Sequence, residues 1–264
     1  MKKEERHTKI IELLENRMVC TPKELAEAMG CSEMTLRRDL NELEEMNLIR
    51  RAHGCAFLQK ENKPSYFHEQ LDEMRLEKEA IARAALQFVQ AYTTICIDSG
   101  TTAHTLARML PSDVPLSVVT SNLTTAVELS AKPNIQTYVV GGMLYHRAHA
   151  TMITDANSIG QHSADVAFMS ARAFRIPGGA FEHTYPLIET KRALASIAKK
   201  VVLMIDHTKC EHTSLCNSLP LSQIDVLITD DKSPREIIDK AVALKKEVIV
   251  VSPESGEITE HYKR

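Results

Sequence analysis

Thr21-Pro22-Lys23-Glu24-Leu25-Ala26-Glu27-Ala28-Met29-Gly30-Cys31-Ser32-Glu33-Met34-Thr35-Leu36-Arg37-Arg38-Asp39-Leu40 holds two helix starts separated by one helix stop. Thr21 suits a side-chain cap, Pro22 the first helical position, and Glu24 can reach back to close a capping box. The short helix that follows runs through Met29 and ends at Gly30. Only Cys31 intervenes before Ser32 caps a further helix, whose apolar positions Leu36, Leu40 and Leu43 recur at helical spacing. Two helices therefore meet across a very tight turn.

Upstream, Ile10, Ile11, Leu13 and Leu14 stand among charged neighbours over residues 3–16 and predict an amphipathic first helix. Downstream, Leu48-Ile49-Arg50-Arg51-Ala52-His53-Gly54-Cys55-Ala56-Phe57 reads as two short strands around a glycine-containing turn. Residues 1–58 are thus expected to form a winged helix-turn-helix. In that arrangement the second helix of the motif enters the major groove, its N-terminal residues meet base edges, and nearby basic groups hold phosphates. Ser32, Glu33, Thr35, Arg37 and Arg38 occupy those positions, and Arg50, Arg51 and His53 make the wing basic. Adjacent arginines alone on a helix are usually a solvated face. Two capped helices, a tight turn and a basic wing together predict duplex DNA as a partner.

The 264 residues exceed one ordinary domain, and 44% hydrophobic with 25% charged residues predicts a packed globular chain. A net charge of −3 excludes a globally basic nucleic-acid binder, so a DNA site has to be a local patch. No apolar run is long enough for a signal peptide or a membrane span, so a cytoplasmic location without a membrane partner is expected. Cys20, Cys31, Cys55, Cys96, Cys210 and Cys216 are dispersed, which reads as reduced thiols.

Residues 59–76 are polar, interrupted by Pro64, and read as a linker. Across 77–264, helical stretches alternate with β-rich runs at 94–97, 116–120, 137–140, 165–169, 201–205, 225–228 and 248–251. This predicts an α/β domain with a doubly wound, mostly parallel sheet. Ligands of such sheets sit beyond the carboxyl ends of the strands. Asp98, Ser99, Gly100, Thr101 and Thr102 follow the first run, Thr120, Ser121 and Asn122 the second, and Gly141 and Gly142 the third. Glycine permits close approach, hydroxyls donate, and backbone N–H groups at a helix start attract an anion. Lys191, and Asp206 with Lys209 after the run at 201–205, can add charge.

Ser32 through Leu40, followed by Arg51-Ala52-His53-Gly54, resembles the N-terminal signature of the DeoR family of transcription regulators, with Cys55 where the family usually has a second glycine. Asp98 through Thr102, Asp206-x-x-Lys209 and Leu227-Ile228-Thr229-Asp230 are similar to that family's sensor domain, so the resemblance spans nearly the whole chain. It implies a sensor fold related to ribose-phosphate isomerases and CoA transferases, a phosphorylated sugar as effector, and a repressor released from operator DNA. The family's glycine-rich pattern is missing over 170–179, where Arg172 or Arg175 become candidates for the sugar pocket.

Two rivals remain at this level. A sugar-phosphate isomerase would need a general base, for which Asp98 and Asp206 are the candidates. A metal-responsive regulator would use His207, Cys210, His212 and Cys216, residue types that suit zinc at a spacing unlike a standard finger. The expectation is a binding protein with no catalytic residues, no cofactor and no metal, acting as a homo-oligomer because helix-turn-helix proteins read paired half-sites.

Overall fold

A computed structural model describes residues 3–17, 20–45, 49–52, 55–58, 66–153, 159–182, 185–212, 214 and 216–263. The chain divides into two compact units, Met1–Pro64 and Ser65–Arg264. Among the described residues no helix is long and apolar enough to cross a membrane.

The first unit contains α1 (Lys3–Arg17), α2 (Pro22–Met29), α3 (Glu33–Glu45) and the antiparallel hairpin of β1 (Ile49–Ala52) and β2 (Cys55–Leu58). Its tight turn forms as the residue types require. Thr21 donates from N and Oγ1 to Glu24 Oε2 at 2.7 and 2.8 Å, and Glu24 N donates back to Thr21 Oγ1 at 3.3 Å. Gly30 ends α2 at φ 62°, ψ 36°, a left-handed conformation that glycine adopts without a Cβ penalty. Ser32 Oγ then accepts from Thr35 N at 3.2 Å and starts α3. Ile10, Leu14, Leu25, Leu36, Leu40, Leu43 and Ile49 fill the core. Asp39 is buried beside them because α1 supplies its partner: Arg6 donates from Nε at 2.7 Å and from Nη2 at 2.9 Å.

The second unit begins within the stretch expected to be linker. α4 (Tyr66–Asp72) and the start of α5 (Arg75–Ala85) lie inside 59–76. A helix of this length with Phe67 as its buried anchor shows no repeating apolar period, which is why the sequence reads as a spacer.

There follow β3 (Thr94–Ile97), α6 (Thr101–Met109), β4 (Leu116–Thr120), α7 (Leu123–Leu129), β5 (Ile135–Val139), β6 (Met143–Tyr145), β7 (Ala150–Met152) and β8 (Ala164–Met169). The chain continues through β9 (Ala173–Arg175), β10 (Gly179–Glu182), α8 (Tyr185–Ser196), β11 (Ala198–Met204), β12 (Cys216–Pro220), β13 (Val226–Asp230), α9 (Arg235–Ala243), β14 (Glu247–Val251) and β15 (Ile258–Tyr262).

The main sheet runs β15-β14-β13-β11-β8-β3-β4-β5, parallel except for the antiparallel edge strand β15. Its central strands are largely apolar on both faces, as a sheet covered on both sides requires, while the edge strands β5 and β15 are partly exposed. Ile95, Ile97, Val118, Phe168 and Met204 pack with Ile81 of α5 and Leu106 of α6 on one face. Cys96, Val119, Met169 and Leu203 pack with Leu194 of α8 and Ile237 of α9 on the other. The order reverses direction between β3 and β8, so the crevice where ligands bind in such sheets opens at their carboxyl ends. Two additions absent from the sequence reading lie outside the main sheet, the antiparallel sheet β12-β10-β9 and the hairpin β6-β7.

α6 starts tightly against the end of β8. A Cβ on Gly100 would stand 1.9 Å from Ser170 Oγ and 2.8 Å from Ser170 Cβ.

Two outcomes are expected. Asp39→Ala destabilises the first unit in urea denaturation by about 1.5–3 kcal/mol at neutral pH, the scale of a hydrogen bond to a charged group. Burial works against the Asp39 carboxylate, but the Arg6 and His7 partners hold it below the usual carboxylate range. Its contribution is therefore complete at neutral pH and disappears as acid protonates it, so the gap between wild type and variant narrows towards low pH. Gly100→Ala, which forces Ser170 aside, lowers the stability of the second unit by about 1–3 kcal/mol in thermal denaturation.

Candidate functional site

One cavity opens at the strand switch point of the second unit. Its walls are the α6 start (Ser99, Gly100, Thr101, Thr102), the segment after β8 (Ser170, Ala171, Arg172), Glu182 of β10, Leu187 and Lys191 of α8, and Lys209 beyond β11. Phe67 and Gln70 of α4, Lys78 of α5, and Tyr145, Arg147 and Ala148 of the β6-β7 hairpin complete it.

A buried charge cluster fixes one wall. Lys191 donates to Asp98 and to the Ser170 carbonyl at 2.8 Å, and it pairs with Glu182 at 3.2 Å. Asp98 also accepts from Ser170 N at 3.0 Å and Ser170 Oγ at 2.6 Å. Burial works against the Asp98 charge, but Lys191 and the two Ser170 donors overcome it and hold the carboxyl below its ordinary range. Burial likewise opposes the Lys191 ammonium, and Asp98 with Glu182 holds it above its ordinary value.

Gly100 caps α6 without a side-chain hydrogen bond, and Gly100, Thr101 and Thr102 line the cavity at the start of this nine-residue helix, where the first N–H groups of a helix have no intrahelical acceptor. Lys78, Arg147, Arg172 and Lys209 add positive charge around them. Such a set suits a phosphate, which brings about two negative charges and several strong acceptor oxygens. The remaining wall is apolar or aromatic at Phe67, Tyr145, Ala148 and Leu187 and can cover a carbon chain.

The predicted residues divide accordingly. Ser99, Gly100, Thr101, Thr102, Lys191 and Lys209 line the cavity, and so does Arg172. Asp98, Thr120, Ser121, Asn122, Gly141, Gly142 and Asp206 do not. Asp98 is spent on Lys191 and Ser170. Thr120 Oγ1 accepts from Asn122 N, while Asn122 caps α7 through Thr125 N and donates to the carbonyls of Ser99 and Ala148. Ser121 is fully buried, and its carbonyl accepts from Thr151 N and Oγ1. Gly141 and Gly142 line a separate hollow with Tyr138, Val139 and His162. Asp206 caps the turn that carries Lys209 by accepting from Thr208 N at 3.0 Å. Arg175 stacks over the Phe181 ring, 5.4 Å from its centroid, away from the cavity lining. Asp98, Thr120, Asn122 and Asp206 support the segments that carry the lining, and their hydroxyl, amide and carboxylate chemistry gives the same signal in sequence.

The residues missed are mostly those whose neighbours in space are remote in sequence: Phe67, Gln70, Lys78, Tyr145, Arg147 and Glu182. The polar stretch before α5 and the unforeseen β6-β7 and β9-β10 segments carry most of them.

The His207–Cys216 loop is used structurally. His207 donates from N to Asp230 Oδ2 at 2.7 Å and places Nδ1 2.9 Å from Asp230 Oδ1. Cys210 is buried, with its thiol pushed up to about 11 chiefly by that burial, His212 is exposed, and Cys216 pairs in β12. Among the described residues no three His, Cys, Asp or Glu side chains converge as a metal site would need.

In the first unit Arg37 and Arg38 are exposed on α3 together with Glu33, Met34 and Asn41. Ser32 and Thr35 share a hydrogen bond at 2.9 Å at the start of the same helix. Met34, 72% exposed, and Asn41 extend this face and were not anticipated. Arg51 is committed to Glu44, donating from Nε at 2.7 Å and from its backbone N at 3.0 Å, and so pins β1 to α3. Arg50 lies in β1, and His53 lies outside the described residues.

Comparison with known proteins follows the same division. Residues 6–62 match the DeoR-like helix-turn-helix domain, and residues 73–231 match the DeoR C-terminal sensor domain. The transcriptional regulator GolR of Listeria innocua is 37% identical over 89% of this chain and 94% of its own length. The glycerol-3-phosphate regulon repressor of Escherichia coli K12 is 33% identical over 90% and 95%. Among solved structures, ribose 5-phosphate isomerase A of Neisseria gonorrhoeae aligns with 50% of this chain and 52% of its own at 17% identity and a TM-score of 0.38. With both of its units matched and its relatives aligned almost end to end, the chain belongs to the DeoR family of DNA-binding transcriptional regulators.

Proposed function

We propose that this protein is a homo-oligomeric repressor whose second unit takes the phosphate of a sugar or polyol phosphate into the cavity at the strand switch point, and that this binding releases operator DNA. The observation that carries the reading is the α6 start, open to the cavity at Gly100, Thr101 and Thr102 and surrounded by Lys78, Arg147, Arg172 and Lys209. The name of one relative, a glycerol-3-phosphate regulon repressor, agrees with a small phosphorylated effector.

Binding without turnover is part of the proposal. Isomerisation needs a base aligned on a carbon. Asp98 and Asp206 are buried outside the cavity lining, and Glu182 is bonded to Lys191. On the DNA side, Arg37 and Arg38 hold phosphates or base edges from α3, with Met34 and Asn41 beside them, and paired half-sites require at least two copies of the chain. By linkage, an effector that weakens operator binding must itself bind less tightly to the DNA complex.

Three outcomes test this. In a thermal-shift screen across sugar and polyol phosphates, a matching effector raises the melting temperature of the full chain, and no shift with any of them removes the cavity from the effector role. Thr101→Val, which replaces a hydroxyl at nearly constant shape, lowers effector affinity about tenfold while leaving operator affinity unchanged. Arg38→Ala weakens operator binding and reduces the slope of log affinity against log salt by about 0.9 if it neutralises one phosphate; equal affinity across the salt series refutes the assignment.

A further inference from the structure

Lys78 stands apart from the other cations of the cavity because of what it holds. Its side chain is almost completely buried, yet it reaches the cavity lining. Its ammonium donates to the carbonyl of Gln70, in the last turn of α4, and to that of Glu73 just beyond at 2.6 Å. A cation there satisfies carbonyls that a helix end leaves without intrahelical partners and complements the negative end of the helix dipole.

The other attachments of α4 are made by its own cavity-lining residues, Phe67 and Gln70. The Phe67 ring is edge-on to His104 and stacked on His149, with centroids 5.5 Å apart in both cases. Gln70 Oε1 accepts from Arg172 Nη1 at 3.3 Å. Two of the groups that fasten this short helix, Lys78 and Arg172, are therefore cations that an anion in the cavity would engage for itself.

Resting on the reading of the cavity as a phosphate site, we infer that Lys78 is the positioning residue that carries occupancy of the cavity to α4: a bound anion draws its ammonium off the Gln70 and Glu73 carbonyls and loosens the helix with which the second unit begins.

The electrostatics agree with this geometry. Facing Lys78 are Asp72 and Glu73 at the end of α4, and Asp206 and Lys209 beyond β11. Burial, with Lys209 adding to it, brings the ammonium down to about 8 in spite of Asp206, Glu73 and Asp72. An arriving anion favours the charged form, so above pH 8 its binding takes up a proton at Lys78.

The test uses the full chain with glycerol 3-phosphate and sulfate as probes, and hydrogen exchange of residues 66–72 as readout. At saturating glycerol 3-phosphate, α4 amides of the wild type exchange about tenfold faster, the scale of one lost charge-assisted hydrogen bond. Lys78→Met shows fast exchange without the probe and no further change at saturation. Sulfate keeps its charge over pH 7 to 9.5, so its affinity for the wild type falls through this range and stays flat in Lys78→Met. A wild type that binds a probe with unchanged or slower α4 exchange overturns this inference alone. If the wild type binds neither probe, the exchange measurement is made with a phosphate ester that raises its melting temperature, and the absence of any such ester overturns the phosphate reading and the inference with it. Because the wild-type measurement decides, a poorly folding variant leaves the conclusion intact in either direction.

Discussion

The second unit is organised by one buried ion cluster. Lys191 of α8 meets Asp98 after β3, the Ser170 carbonyl after β8 and Glu182 at the end of β10. Taking such charges out of water is costly unless the geometry is close; here Ser170 adds two donors to Lys191 on Asp98 Oδ2, while Asp98 Oδ1 is buried without a hydrogen-bond partner. Four segments remote in sequence are thereby tied at the one place where the strand order reverses. An unpartnered Lys191 or Asp98 in this interior would be worse than none, so the cluster stands or falls as a unit.

The first unit divides its charged residues by the same logic. Within Arg37-Arg38-Asp39, helical spacing sends the carboxylate inward to Arg6 and leaves both guanidiniums outside. The wing divides too, with Arg51 returned to Glu44 on α3. Side chains that fix the helices and side chains offered to a partner therefore alternate along one short segment. The fixing residues hold the orientation of α3 relative to α1 and β1, which any reading of base edges by α3 requires.

Much of the fold is legible in the sequence because its signals are local. The capping box at Thr21 and Glu24, the stop at Gly30 and the start at Ser32 each depend on residues within a few positions. The central parallel strands announce themselves as apolar runs because both faces are covered. Short elements are less visible. β6, β7, β9 and β10 are three or four residues long, and α4 buries one aromatic residue, so none supplies a full period. The site divides on the same line. Residues at the β3 corner could be read from their types, whereas Gln70, Lys78, Arg147 and Glu182 reach the cavity only through tertiary placement. Asn122 and Asp206 show the limit from the other side, since a capping side chain and a ligand-binding one share the same chemistry until their partners are known.

The contact between Gly100 and Ser170 bears on how a protein of this build could change the molecule it answers to. That wall has no slack: no side chain fits at 100, and Ser170 is tied to Asp98. Other lining residues, Gln70, Tyr145, Ala148 and Leu187, carry no charge and come from a short helix, a hairpin and α8. Retuning of ligand preference, whether by natural drift or by a biosensor library, is therefore channelled to those four positions, while the anion-facing corner remains a common denominator.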